Sequence, residues 1–208
     1  LSVAEGCRRA GQGEDGLVIA AEKMSSITDW NDRTTCVLFG DGAGATVLRR
    51  ANGSGRGILS SVMRSDGNLS HLLSRPAGGA AEPLSQAVLE SGRHLIQMQG
   101  REIFKHAVRS MAEACDVALK RAGLTVDDVD LLVPHQANIR IIEATAKYAG
   151  VPLDKVFINV DRYGNMSSAS VPVALDEALE QGLIGPGSNI LTVAFGAGLT
   201  WGAMAFRW

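Results

Sequence analysis

The stretch VDLLVPHQANIRIIEATAKYAG (residues 129–150) joins a strand, a polar junction and a helix. Its first part, VDLLVPH, is a short apolar run of strand length, which predicts a strand buried in a sheet. A helix is expected to begin at Asn138 and to end at Gly150, with Pro152 beyond it. At the junction, PHQAN (134–138) places a histidine and two amides where a turn needs only Gly, Asn or Pro. These side chains exceed what a turn requires.

More helices and strands are predicted on the carboxyl-terminal side and just upstream of this stretch. Apolar residues at three- and four-residue steps predict a helix from Arg101 to Ala122, which Gly123 ends. The segments expected to form strand, helix, strand and strand in turn are KVFINV (155–160), SSASVPVALDEALEQG (167–182), NILTVAF (189–195) and TWGAMAFRW (200–208). Strands separated by helices indicate an α/β fold with a mostly parallel sheet and helices on its faces.

The amino-terminal part has the same mixed character. LSVAEGCRRAG (1–11) has the pattern of a helix interior that Gly11 ends. GLVIAAEKM (16–24) and TTCVLFG (34–40) are continuous apolar runs, which predict interior strands buried on both faces. A weaker β-like stretch runs from Ile58 to Met63 between connectors rich in Gly and Pro.

Composition excludes several classes of function. The 208 residues are 46% hydrophobic, enough to bury the core of one α/β layer system. A net charge of −2 and a pI near 6.1 give no basic surface for nucleic acid. No apolar run reaches the roughly 18 residues of a membrane span. Three cysteines without a CxxC pair predict reduced thiols in the cytoplasm, and four scattered histidines predict no zinc site.

Three polar or glycine-rich breaks follow expected strands: PHQAN, DRYGNMSSAS (161–170) and AFGAGLTWG (194–202). In α/β sheets, reactive groups gather at the carboxyl ends of the strands. If these strands are neighbours, His135, Asn165 and the backbone of residues 196–198 converge. Each break alone also fits a structural interpretation, namely a hydrogen-bonded histidine, an ordinary turn or a tight bend. Their coincidence at three equivalent strand ends favours a site.

The glycine run FGDGAGA (39–45) invites comparison with phosphate-binding loops. It lacks the lysine and the serine or threonine of a P-loop, and it lacks the spacing of a dinucleotide fingerprint. Close backbone packing beneath the site is the preferred interpretation.

The segments LLVPHQANIRIIEATAKYAG, DRYGNMSSASVPVALDEAL, AFGAGLTWG and VLFGDGAGATVL resemble the β-ketoacyl-acyl-carrier-protein synthase III family, among the thiolase-like condensing enzymes. The match runs nearly end to end. The resemblance implies a thiolase-like fold with α/β/α/β/α layers, usually dimeric. Residues 1–96 would be the remainder of the N-terminal half and a connecting region, and residues 97–208 the complete C-terminal half.

The resemblance also implies a decarboxylative Claisen condensation. An acyl group passes from coenzyme A to a cysteine, malonyl on the acyl carrier protein loses carbon dioxide, and the resulting carbanion attacks the acyl group. The imidazole of His135 and the carboxamide of Asn165 would hold the enolate, and each such donor is typically worth about 10²–10³ in rate. The backbone N–H of Ala197, where the family commonly has glycine, would serve an oxyanion. Tyr163 stands where the family commonly has histidine.

Further roles in substrate binding follow from the same resemblance. Arg33 is expected to bind the coenzyme A nucleotide, and Asn138 and Arg140 the pantetheine arm with its phosphates. Phe104 and Phe195 are expected to line the apolar tunnel for the acyl chain. Lys105, Arg140 and Lys147 would form a basic patch for the acidic carrier protein. For Arg33 and Arg140, the competing interpretation is a solvated surface charge. Coenzyme A enters as a thioester substrate and no further cofactor is expected.

The nucleophile is the principal departure from the family pattern. None of Cys7, Cys36 and Cys115 matches the family's cysteine motif, which lies at the start of the helix whose interior corresponds to residues 1–10. We therefore expect the nucleophile upstream of Leu1 and no acyl-enzyme from this chain alone. Two alternatives remain: a non-catalytic acyl or carrier-protein binding module, and a related Cys/His condensing enzyme of polyketide-type metabolism. Asn165 favours a Cys/His/Asn enzyme.

Overall fold

The computed structural model describes residues 1–51 and 55–208. The α-helices of these residues are α1 (Ser2–Arg9), α2 (Gln86–Glu90), α3 (Gly100–Ala122), α4 (Ile139–Ala149), α5 (Val160–Tyr163) and α6 (Ser170–Glu180). The strands are β1 (Gly16–Lys23), β2 (Asp41–Leu48), β3 (Gly57–Ser65), β4 (Leu73–Ser74), β5 (Gln97–Met98), β6 (Leu131–Pro134), β7 (Asn189–Gly196) and β8 (Thr200–Arg207).

A four-stranded sheet in the order β3-β8-β7-β6 forms the centre of the fold. Strands β6 and β7 pair in parallel, whereas β7–β8 and β3–β8 are antiparallel. The prediction of a mostly parallel sheet is therefore wrong for these strands. The reason is the short connection between β7 and β8, which leaves no room for the crossover that a parallel pair needs.

Helices cover both faces of this sheet, as the sequence predicts. On one face, α3 and α4 bury Met111, Cys115 and Ile142 against Leu132 and Leu191. On the other face, the apolar residues of α6 pack with alternate strand residues, and this second core contains Leu131, Val133, Phe157, Ala174, Leu175, Ala178, Ile184 and Ile190. Neighbouring residues of β6 point to opposite faces of the sheet, and both faces are covered by helices. All four residues of β6 are therefore buried.

The two main helix predictions are confirmed together with their ends. Gly123 and Gly150 follow α3 and α4 in the left-handed conformation, with φ of 69° and 76°. The Asn138 side chain caps α4 by accepting a hydrogen bond from the Ile141 N–H at 3.0 Å. The cap and the glycine therefore fix where α4 begins and ends.

The strand predictions were less accurate. The segment 16–24 does form β1, but it pairs with β2 in a two-stranded antiparallel sheet, and Leu17 and Ile19 are 63% and 65% exposed rather than buried. The segment 34–40 forms turns and β2 begins only at Asp41, because the Asp32 carboxylate accepts hydrogen bonds from the following threonines.

The segment 155–160 forms a single bridge, Leu132 with Val156, where a strand was predicted. Beyond this bridge the side chain of Gln136 supplies hydrogen bonds to the backbone of the segment. The weaker stretch at Ile58–Met63 lies within a full strand, β3, at the edge of the central sheet. The proposed division between residues 96 and 97 stays a prediction.

The glycines of FGDGAGA allow close packing, as the sequence indicates. A Cβ on Gly40 would overlap the carbonyl oxygen of Tyr163, and one on Gly42 would overlap the Met166 sulfur. The Gly40 N–H also donates to the Asn165 carbonyl at 3.0 Å. The glycines thus let β2 approach the segment that carries Asn165.

We expect Gly40→Ala to lower the free energy of unfolding by about 1–3 kcal/mol, because the added methyl group meets a backbone carbonyl that cannot turn aside. Urea unfolding measures the change. Gly185→Ala is the matched control, since a Cβ at Gly185 meets nothing within 4 Å. Equal midpoints for the two variants would contradict the packing argument.

Candidate active site

A cleft of about 1700 Å³ opens at the carboxyl ends of β6 and β7. Its lining includes His135, Asn165, Gly196 and Ala197. Residues from each of the three sequence breaks therefore line one cleft. Asn165 arrives by a different route from the one expected, because its segment is held by a bridge to Phe39 and not by a strand of the central sheet.

His135 is buried at the end of β6, and its backbone N–H donates to the Val193 carbonyl at 2.7 Å. Its Nδ1 lies 2.6 Å from the Ser170 hydroxyl oxygen at the start of α6. Burial lowers the pKa of His135 to about 4, because a charged ring loses its hydration there. The ring is therefore neutral at pH 7, and one of its two nitrogens carries a proton.

Asn165 is fixed through both its backbone and its side chain. Its N–H donates to the Leu38 carbonyl at 2.8 Å. Its Oδ1 accepts the Ser167 N–H at 2.9 Å. The oxygen is used in this turn, and Asn165 itself lines the cleft. His135 and Asn165 thus offer neutral polar groups to the same space.

Ala197 lies in the turn between β7 and β8, outside the ladder of the two strands. Its carbonyl accepts the Thr200 hydroxyl at 3.0 Å. Among the residues that the structure describes, its N–H has no hydrogen-bond acceptor. The replacement of the family's glycine therefore keeps a backbone donor at the edge of the cleft.

A buried polar network begins at Gln136, the residue after His135. The fully buried Gln136 donates from Nε2 to the carbonyls of Pro134 and Phe157, at 2.8 and 3.1 Å, and accepts the Asn159 N–H at 3.0 Å. Asn159 in turn donates from Nδ2 to the Glu177 carboxylate at 2.8 Å. The network was missed from the sequence, although the second polar residue of PHQAN was a signal for it.

Glu177 also holds the short helix α5. Arg162 and Tyr163 donate to its carboxylate at 2.6 and 2.5 Å. Burial acts to raise the pKa of Glu177, but the hydrogen bonds from Tyr163, Asn159 and Arg162 together lower it. The carboxylate is therefore ionised at neutral pH and ties α5, which precedes Asn165, to α6.

Of the predicted substrate-binding residues, Phe104, Asn138, Arg140 and Phe195 line the cleft, as does Lys105 of the predicted carrier-protein patch. Arg33 and Lys147 are exposed and lie outside the lining, although Thr34 beside Arg33 belongs to it. The lining also contains three arginines that the sequence analysis missed, Arg64, Arg75 and Arg101. They are isolated in the sequence, and no motif indicated them.

The cysteines lie elsewhere. Within residues 1–51 and 55–208, none of Cys7, Cys36 and Cys115 lines the cleft. Cys115 is packed in the core, and burial raises the pKa of its thiol to about 12. Cys115 is therefore a packing residue.

The described residues contain neither a cluster of metal ligands nor a membrane-spanning helix. They hold no group of three His, Cys, Asp or Glu side chains placed to bind a metal ion. None of their helices combines the length and hydropathy that crossing a bilayer requires.

Comparison with known proteins identifies close relatives. Two models of 3-oxoacyl-[acyl-carrier-protein] synthase III, the general one and the C-terminal one, match residues 1–67 and 119–208. The β-ketoacyl-[acyl-carrier-protein] synthase III of Roseiflexus castenholzii is 51% identical over 208 residues, which are 100% of this chain and 63% of the relative. That of Caldanaerobacter subterraneus is also 51% identical, over 100% of this chain and 62% of the relative.

A solved structure agrees with these relatives. The crystal structure of 3-oxoacyl-[acyl-carrier-protein] synthase III from Aquifex aeolicus is 44% identical, with a TM-score of 0.89 over 100% of this chain and 62% of that one. The thiolase-like α/β fold that the resemblance implied is confirmed. The chain spans 63% or less of the length of the relatives described.

The lowered pKa of His135 predicts a pH-dependent stability. The pKa of this ring is 6.5 in the unfolded chain and about 4 in the folded protein. Between these two pH values the unfolded chain binds a proton that the buried ring does not, so the free energy of unfolding falls as the pH drops through the interval. We expect His135→Asn, which cannot titrate there, to lose less stability over the same interval. Urea unfolding at several pH values measures both slopes, and equal slopes would contradict the prediction.

Proposed function

Because the chain belongs to the 3-oxoacyl-[acyl-carrier-protein] synthase III family, we propose that its protein condenses an acyl-coenzyme A primer with malonyl-acyl carrier protein. This acyltransferase reaction would initiate fatty-acid synthesis. The observation that carries the proposal is the pairing of two neutral polar side chains, His135 and Asn165, on the wall of one cleft.

The chemistry of decarboxylation explains why neutral donors are needed. When malonyl loses carbon dioxide, the electron pair of the broken bond moves into the thioester carbonyl and forms an enolate. A ring N–H of His135 and the Nδ2 of Asn165 can donate to that oxygen, whereas a carboxylate there would repel it. The donors are fixed before the charge develops, so little reorganisation is required.

Carbon–carbon bond formation follows, when the enolate carbon attacks the acyl thioester and the thiolate leaves. The backbone N–H of Ala197 is proposed to stabilise an oxyanion of this reaction. None of the cysteines at positions 7, 36 and 115 lines the cleft, so we assign the acyl-carrying thiol to none of them. This chain's proposed share of the reaction is therefore enolate formation and oxyanion stabilisation.

The shape and charge of the cleft suit a long thioester arm. Phe104 and Phe195 supply apolar walls, and Asn138, whose oxygen caps α4, keeps its amide nitrogen for the arm. Arg140 is proposed to contact phosphate, for which the planar guanidinium is well suited. Arg33 is proposed to bind the coenzyme A nucleotide just outside the cleft.

The remaining proposals concern partners and setting. The basic residues Lys105, Arg140 and Lys147 are proposed to dock the acidic carrier protein. We also propose a homodimer in the cytoplasm that uses coenzyme A thioesters as substrates and no other cofactor. A binding module without catalysis is less well supported, because holding an acyl arm does not require the paired donors of His135 and Asn165. The relatives described also favour fatty-acid synthesis over polyketide-type metabolism.

We expect His135→Ala and Asn165→Ala each to slow decarboxylation of malonyl-acyl carrier protein by about 10²-fold, because each removes one enolate donor. Release of labelled carbon dioxide measures the rate. His106→Ala and Asn31→Ala are matched controls, since neither residue lines the cleft. Folded His135 and Asn165 variants that decarboxylate at the normal rate would overturn the proposed function.

The cationic residues should affect binding more than turnover. We expect Arg33→Ala and Arg140→Ala to raise KM for coenzyme A or carrier-protein substrates with a smaller change in kcat. The increase should shrink at high salt, which screens exposed charges. Lys120→Ala, in an exposed pair with Asp116 outside the cleft, is the control. A KM that does not change would make Arg33 and Arg140 solvated surface charges.

A further inference from the structure

The Ser170 hydroxyl is the hydrogen-bond partner of the His135 ring. The groups around this hydroxyl limit the directions in which its proton can point. Ser170 is fully buried at the first position of α6. Its oxygen lies 2.6 Å from His135 Nδ1, 3.0 Å from the Ser167 carbonyl and 3.3 Å from the Gln136 nitrogen. Three groups therefore surround a hydroxyl that has a single proton.

Two of these three contacts have fixed roles. The backbone N–H of Gln136 can only donate to the hydroxyl oxygen, and the Ser167 carbonyl can only accept. The Ser170 proton must therefore point either to His135 Nδ1 or to Ser167. The Ser167 carbonyl already accepts the backbone N–H of Ser170. It does not depend on the hydroxyl, and turning the hydroxyl towards His135 leaves no buried carbonyl without a partner.

The choice decides which proton His135 shows to the cleft. If Ser170 donates to Ser167, then His135 must donate from Nδ1, and Nε2 presents a lone pair to the cleft. If Ser170 donates to Nδ1, the ring proton resides on Nε2, the nitrogen not turned towards Ser170. Only the second arrangement offers a donor to a developing enolate.

We propose that Ser170 is a positioning residue that donates its hydroxyl to His135 Nδ1 and so keeps the ring proton on Nε2, facing the cleft. This proposal rests on the proposed function, because that function is what requires a proton donor at Nε2. The tautomer itself can be measured without any reaction. The N–H of Gln136 supports the arrangement, because it holds the hydroxyl oxygen from the other side.

The test is nitrogen-15 NMR of the histidine rings in the labelled protein at pH 7, where long-range correlations distinguish protonated from unprotonated ring nitrogens. His135→Asn identifies the His135 signals. We expect Nδ1 without a proton and Nε2 with one in the wild type. In Ser170→Ala, we expect the proton to distribute between the two nitrogens and decarboxylation to fall by about 10-fold, the effect of one lost hydrogen bond.

Ser91→Ala is the matched control, because the Ser91 hydroxyl donates to the Val88 carbonyl and Ser91 does not line the cleft. A wild-type ring protonated on Nδ1, or a Ser170→Ala spectrum with the wild-type tautomer, would overturn the assignment. A changed tautomer with an unchanged decarboxylation rate would overturn the positioning role. If neither the wild type nor any variant decarboxylates malonyl-acyl carrier protein, but Ser170→Ala changes the tautomer, the tautomer assignment stands and the proposed function fails.

Discussion

The buried carboxamide of Gln136 holds together the parts of the chain that form the site. Its three hydrogen bonds join the end of β6 to residues 157 and 159, so a side chain takes the place of a strand partner. An amide suits this position because it donates and accepts at once, and every buried polar atom that lost its partner would cost about 1–3 kcal/mol. Asn159 and Glu177 extend the network to α5 and α6.

A second constraint reaches Asn165 from the opposite side. The N–H of Gly40 and the carbonyl of Leu38 pair with the Asn165 backbone, and the lack of a side chain at Gly40 permits the approach. Asn165 is therefore held by backbone contacts from one direction and through α5 and Glu177 from the other. His135 belongs to the central sheet, so the distance between the two donors depends on both connections at once. Preorganisation of this kind is what electrostatic stabilisation requires.

The sequence predicted the features whose causes are local. Helix α4 carries its cap and its terminal glycine in its own residues, and the polar breaks at His135 and Asn165 stand out against apolar neighbours. The predictions that failed depended on residues far apart in the sequence or on polar side-chain hydrogen bonds. The direction of strand pairing depends on which strands meet, and turns held by Asp32 replaced a predicted strand. The cleft arginines were missed because nothing in their local sequence shows that they share one space; these residues are Arg64, Arg75 and Arg101.

Burial gives His135 its neutral charge but does not decide which of its nitrogens is protonated. Desolvation removes the charged form from the population, and the two neutral tautomers differ only through the groups that touch the ring. The groups behind the buried ring therefore matter as much as the ring itself. Here they consist of Ser170, held by the Gln136 N–H. Each polar residue of PHQAN thus has its own physical role. His135 lines the cleft, Gln136 holds the ring's partner and the neighbouring segment, and Asn138 begins the next helix.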